Sequence, residues 1–127
     1  GLGDVYKRQA IANPKIAPYG KSAEETLKSL KLWKKMQKKI VRGENIGQTF
    51  QFVRSGNAQL GFVAYSQIIG SDNIIDGSFW EIPESIYTPI NQQAVLLKAS
   101  NASKDFLSFI QSDESLSIIL KSGYALP

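Results

Sequence analysis

The chain has 127 residues, of which 43% are hydrophobic, 20% charged and 10% aromatic, enough apolar material for one compact core and too little for two well-formed ones. It contains no cysteine and no histidine, which excludes disulfides, thiolate chemistry, the usual zinc and haem ligands and every imidazole-based catalytic triad. The formal charge of +4 is concentrated in Lys28, Lys31, Lys34, Lys35, Lys38, Lys39 and Arg42, a stretch without an acidic residue.

Residues 1–9 show neither helical nor strand periodicity and lack an initiating methionine. Six consecutive codons for Asp4 to Gln9 can reproduce the transposon end used as an adapter in sequencing libraries. These nine residues are therefore read as an artefact that packs on nothing, with the chain proper starting mid-gene at about Ala10. No apolar run approaches the roughly 18–20 residues that span a bilayer, and no charged-then-apolar leader opens the chain, so as written it carries neither an anchor nor an export signal.

Ala10 to Ala12 reads as a short strand. Asn13-Pro14 and Pro18-Tyr19-Gly20 then mark a turn, and Ala23, Leu27 and Leu30 recur at helical spacing over Lys21–Leu30, with Glu24 facing Lys28. Leu32 to Gln37 adds another turn or two of helix around Leu32, Trp33 and Met36. Ile40 and Val41 are a strand candidate. Gly43-Glu44-Asn45 reads as a turn and cap before a helix carrying Ile46, Phe50 and Val53, which stops at Ser55-Gly56-Asn57. Leu60 to Ala64 reads as a buried strand, Ser71 to Gly77 as a loop, Phe79 to Ile82 as a short strand, and Pro83 and Pro89 as the brackets of an extended segment. Ala94 to Leu97 is strand-like. Asn101 to Ser103 caps a last helical stretch that carries Phe106, Leu107, Phe109 and Ile110, breaks at Ser112-Asp113, continues through Leu116, Ile119 and Leu120, and ends at Gly123. Alternating strands and helices with short links give an α/β fold.

Two places share one design, a short apolar strand followed by a polar or glycine-containing turn and an immediate helix: Ile11 to Lys21 and Ile40 to Gln48. In an open α/β sheet such corners lie at the carboxyl ends of the strands, and each supplies backbone N–H groups at the positive end of a helix, which suits an anion. Every α/β fold has such corners and most are empty. The lysine stretch reads as a solvated face, because Trp33 is its only aromatic residue and sits among Leu32 and Met36 as a core residue does. Glu24 and Glu25 diverge by about 100° on a helix and read as solvent residues. Ser22, Ser66 and Ser103 have no activating partner and read as capping residues.

The ordered blocks I-A-N-P-K-I-A-P-Y-G-K-S-A-E-E, L-W-K-K-M-Q, V-R-G-E-N-I-G-Q-T-F-Q-F-V-R-S-G-N-A-Q-L-G-F-V-A-Y-S-Q and F-W-E-I-P resemble the C-terminal half of the molybdate-binding proteins, the periplasmic solute-binding components of molybdate ABC importers. The resemblance runs from residue 10 to 127. It implies an incomplete type II periplasmic-binding fold: residues 10–78 as part of the second lobe with its oxyanion corners, 79–93 as hinge or crossover, and 94–127 as a strand and helices returning towards the first lobe.

The resemblance further implies that Tyr19 and Ile46 each offer a backbone N–H to the oxyanion, with Gly20, Asn45, Ala64 and Tyr65 in supporting positions. Ala64 stands where some members carry a tyrosine. Molybdenum would be held only as molybdate, as cargo, with tungstate as its close analogue and no cofactor. Implied with it are a membrane permease as partner, a monomeric state, a periplasmic or cell-surface location, no nucleic-acid partner and no catalysis. Binding of another oxyanion such as sulfate or phosphate is the alternative within the fold, and a small basic nucleic-acid-binding domain using Lys28 to Arg42 is the alternative outside it.

Overall fold

The computed structural model describes residues 7–69 and 77–126, which fall into two compact units: residues 7–64 with 77–90, and residues 65–69 with 91–126. The predicted loop Ser71–Gly77 lies outside the described residues except for Gly77.

The first unit is built on a parallel sheet in the order β2-β1-β3. Its strands are β1 (Gln9–Ala12), β2 (Ile40–Gly43) and β3 (Leu60–Gly61), and its α-helices are α1 (Pro18–Ser29), α2 (Trp33–Met36) and α3 (Ile46–Arg54), with a 3-10 turn at Gln37–Lys39. All four residues of β1 are buried. Successive strand side chains point to opposite faces, so both faces of the central strand are covered. The chain steps from β1 to β2 on one side and then across β1 to β3 on the other; right-handed crossovers in these opposite directions put α1 and α3 on opposite faces. Accordingly α1 packs on β1, while α3 lies across all three strands.

The core is Ala10, Ile11 and Ala12 from β1, Ala23, Thr26 and Leu27 from α1, Met36 from α2, Thr49 from α3, and Ala58 and Ala64. The buried hydroxyls are satisfied within their helices: Thr26 donates to the Ser22 carbonyl at 2.8 Å and Thr49 to the Asn45 carbonyl at 2.9 Å, so burying them strands no polar atom. The lysine stretch is solvated as expected, with Lys28, Lys31, Lys34, Lys35, Lys38 and Arg42 exposed. Met36 is buried between them, Glu24 pairs with Lys28 at 2.6 Å, and the Lys28 ammonium lies 5.9 Å from the centre of the Trp33 ring.

Several expectations need correction. The stretch 1–9 does not stay clear of the fold throughout: Gln9 is buried as the first residue of β1, opposite Ile40 and Leu60, and the Arg8 N–H donates to Gln59 Oε1 at 2.9 Å. The reason is that ladder bonds are made by main-chain groups, which pair whatever side chain they carry. Helix α1 starts at Pro18, three residues before the periodic stretch, because a proline at the first helical position has no N–H to lose. The strand expected over Leu60–Ala64 is reduced to Leu60–Gly61, with a last bond from the Phe62 N–H to the Ala10 carbonyl at 2.9 Å. It pairs with β1 alone and is half-buried, as an edge strand is, rather than buried on both faces. Phe79–Ile82 forms no strand, and a 3-10 turn, Glu84–Ile86, interrupts the segment between the two prolines.

The second unit contains α4 (Tyr65–Ile69), α5 (Asn101–Ile110) and α6 (Asp113–Lys121). Ser100, one residue before the predicted cap, closes a reciprocal capping box with Ser103, and Ser112 caps α6 at the expected break. Gly123 ends α6 with a φ of +85°, as a left-handed terminal glycine does. The strand expected at Ala94–Leu97 is absent. Val95 and Leu97 are 78% and 92% exposed, and among the described residues this unit holds no strand against which the segment could pair.

Candidate functional site

The two strand-to-helix corners are neighbours because of strand register. Ala12, the last residue of β1, stands opposite Gly43, the last of β2, and the Asn13 N–H donates to the Gly43 carbonyl at 2.7 Å. Both turns therefore leave the same end of the sheet side by side, each into a helix start.

At the first corner the Asn13 carbonyl accepts from the N–H groups of Ile16 and Ala17 at 3.2 and 2.9 Å, and its side chain accepts from the Lys15 N–H at 3.1 Å. This Asx turn brings the chain to Ala17, the residue before α1, whose β conformation makes no side-chain cap. Pro18 has no N–H, and the amides of Gly20 and Lys21 both donate to the Ala17 carbonyl. Tyr19 thus carries the first amide of the helix. Gly20 is what lets the helix start so close to the strand: a Cβ there would collide with the carbonyl of Ala12 and would sit 2.7 Å from the carbonyl carbon of Asn13. These are backbone atoms, which cannot give way as a side chain would.

The second corner is fastened by side chains. Asn45 precedes α3 in an extended conformation and its Oδ1 accepts from the Gln48 N–H at 2.8 Å, while Gln48 Oε1 accepts from the Glu44 N–H at 2.7 Å. The pattern N-x-x-Q is a capping box shifted by one amide, and it was open to view in the sequence although only Asn45 was singled out. Ile46 and Gly47 carry the first two amides of α3. A Cβ on Gly43 would lie 2.6 Å from Thr49 Oγ1 and 2.8 Å from its N, so here too a glycine permits the close approach of strand end and helix.

Of the predicted site residues, Tyr19, Gly20, Asn45 and Ile46 are brought together at adjacent strand ends, Gly20 buried, Asn45 exposed and the other two half-buried. Ala64 is buried where the chain runs on from β3. Tyr65 opens α4 and belongs to the second unit. Asn13 and Gln48 are the residues the sequence reading passed over. What the corners offer chemically is a pair of adjacent positive helix ends with neutral donors. Among the described residues there is no cluster of three acidic side chains that could hold a metal cation, and no helix is long and apolar enough to cross a membrane.

Residues 2–125 match the family model described as bacterial extracellular solute-binding protein. The molybdate-binding protein ModA of Rhodobacter capsulatus is 46% identical over 118 residues, which make up 91% of this chain and 46% of that protein. Its namesake from Azotobacter vinelandii is 39% identical over 126 residues, covering 97% of this chain and 50% of that one. The solved structure of the Azotobacter vinelandii periplasmic molybdate-binding protein superposes with a TM-score of 0.85 at 40% identity, over 95% of this chain and 55% of that one. The chain thus spans about half the length of the curated relatives it matches. Its α/β architecture with a parallel sheet is that of the periplasmic molybdate-binding structure, and the chain belongs to the bacterial extracellular solute-binding protein family.

Proposed function

We infer that the chain serves as the solute-binding component of an ABC importer, or as the half of one, and that it grips molybdate or tungstate through the backbone N–H groups of Tyr19 and Ile46. The observation that carries this reading is the Ala12–Gly43 register, which sets two helix starts side by side, in a chain whose relatives are named for molybdate. A doubly charged tetrahedral oxyanion is well served by several neutral, directed donors, while the helix ends spread the compensating charge. Gly20 and Asn45 shape the two corners, and Ala64 lies further along the chain in a supporting position. The bound anion is cargo for a membrane permease, the location periplasmic or cell-surface, the protein a monomer, and it catalyses nothing. Residues 10–78 supply this grip, 79–93 the crossover, and 94–127 the return towards the other half.

The test uses a full-length version in which the missing half of the relatives' length is restored from the Azotobacter protein. Calorimetric titration is expected to show molybdate and tungstate binding, with sulfate and phosphate weak or silent. Ile46→Pro is the informative variant. Proline is tolerated at the first helical position, and Asn45 already has the extended φ of −147° and ψ of 174° that the residue before a proline needs, so the change deletes one donor and leaves the helix. The expected loss is roughly 1.5–3 kcal/mol, against much less for Ile46→Ala. Equal losses would remove the backbone-donor role. A preference for sulfate or phosphate would move the protein to another oxyanion, and salt-dependent DNA binding without anion binding would replace the reading altogether.

A further inference from the structure

Residues 77–90 belong to the first unit although they follow α4, and the chain passes to the second unit after Ile90. Something must hold this late segment against the sheet-bearing unit. The contacts that do so converge on the backbone of Thr88: its N–H donates to Glu25 Oε2 at 2.7 Å, and its carbonyl accepts from Ser22 Oγ at 3.4 Å. Ser22 and Glu25 are three residues apart on α1, hence on one face of the helix. The 3-10 turn Glu84–Ile86 packs on the same helix, and Pro89 after Thr88 favours an extended backbone there. Neither Ser22 nor Glu25 is therefore the plain cap or solvent residue that its local sequence suggests.

We propose that Glu25 is a positioning residue, a latch that fixes the end of the 77–90 segment on α1 and so anchors the point at which the chain leaves the first unit. The anchor and the oxyanion corner share one rigid element, since Tyr19 lies in the first turn of α1 and Ser22 and Glu25 in the next two. This deepens the solute-binding reading, and rests on it for its use: whatever the chain beyond Ile90 does when an anion arrives is referred to the same helix that carries the donor.

The electrostatics suit a latch closed at neutral pH. The Glu25 carboxyl is held below its ordinary value, first by the Thr88 backbone N–H, then, against a desolvation effect that opposes it, by the Thr88 side chain and by Lys21 and Lys28. The other charged and titratable groups on the packed elements are Tyr19 and Glu24 on α1, the latter paired with Lys28, and Glu84 and Tyr87 at the 3-10 turn. A carboxylate whose folded-state pKa is depressed contributes stability above its unfolded value and loses it as pH falls through the folded one. The latch therefore loosens as pH falls through the lowered Glu25 pKa, and its role at neutral pH is positional.

Amide-resolved NMR of the whole chain tests this without any ligand, so its failure and the failure of the oxyanion reading are told apart. On acid titration the Thr88 amide should report a transition with a midpoint below the ordinary glutamate value, and in Glu25→Gln that transition should vanish. Hydrogen exchange at Thr88 at neutral pH should quicken about tenfold or more in Glu25→Ala and less in Glu25→Gln, which keeps a neutral acceptor, with the amides of β1 unchanged. Glu24→Ala, which breaks only the pair with Lys28, should leave Thr88 as it was. A Thr88 amide blind to the Glu25 titration in the unmodified chain, or one opened equally by Glu24→Ala, overturns the latch.

Discussion

Ile11 in the first unit is fully buried, whereas Phe106 in the second is 62% exposed, and the contrast extends to the units as wholes. Among the described residues every buried apolar side chain lies in the first unit, and the second contributes only Ser115 to the buried set. The helices of the second unit are nonetheless well made, with a capping box on α5 and a serine cap on α6. Local signals build a helix; only a facing apolar layer gives it a core. Stability should therefore be dominated by the unit that carries the candidate site, and substitutions in the two units should differ in scale.

The largest loss is expected from Leu27→Ala. Leu27 is 2% exposed on the α1 face that packs against β1, and truncating a buried leucine costs about 2–5 kcal/mol through lost transfer energy and the cavity left behind. Urea denaturation followed by circular dichroism measures it. A loss below about 1 kcal/mol would mean that the first unit is not the stabilising one.

Gly20→Ala comes next. The added methyl meets the Ala12 carbonyl group rather than a movable side chain, so the start of α1 must shift from the strand end, at about 1–3 kcal/mol. This variant sharpens the comparison by separating stability from binding. It should weaken anion binding in the restored full-length protein by more than its stability loss accounts for, since Tyr19 is re-aimed, and an unchanged affinity would detach the first corner from the site.

Asn45→Ala is smaller again. It leaves the Gln48 N–H without its side-chain acceptor, and loss of an N-cap typically costs about 1 kcal/mol. Asn45→Asp should restore most of it, an expected order that equilibrium unfolding of the three proteins checks directly.

These three positions also show where sequence reasoning reached and where it stopped. The α3 start, the Asn45 cap and the serine break at Ser112 could be read because capping and helical periodicity are settled within a few residues. The strands at Phe79–Ile82 and Ala94–Leu97 were misread for the complementary reason: a strand is completed by a neighbour, and apolar alternation cannot say whether one is present. Arg8 and Gln9 fall in a stretch that could be encoded by an adapter, yet the ladder beside Ile40 and Leu60 uses their main chain. That both corners lie at the carboxyl ends of strands follows from reading an open α/β sheet, but the register that sets them side by side, Ala12 opposite Gly43, is a property of the folded pair. The Glu25–Thr88 contact joins residues 63 apart and gives no local sign at either end.

The smallest effect is expected in the second unit, from Phe106→Ser. Phenylalanine and serine have similar helix propensities, so the substitution in the middle of α5 changes little but side-chain burial. With 62% of Phe106 exposed, there is little burial to lose, and the change should stay within about 0.5 kcal/mol, the range of ordinary surface substitutions. The urea midpoint should scarcely move and the slope should hold. A loss as large as that of Leu27→Ala would break the comparison at its base, because it would show Phe106 buried in solution and the second unit furnished with a core of its own. A gain in solubility without a change in midpoint would strengthen it, since removing an exposed aromatic ring lessens self-association and leaves folding energetics alone.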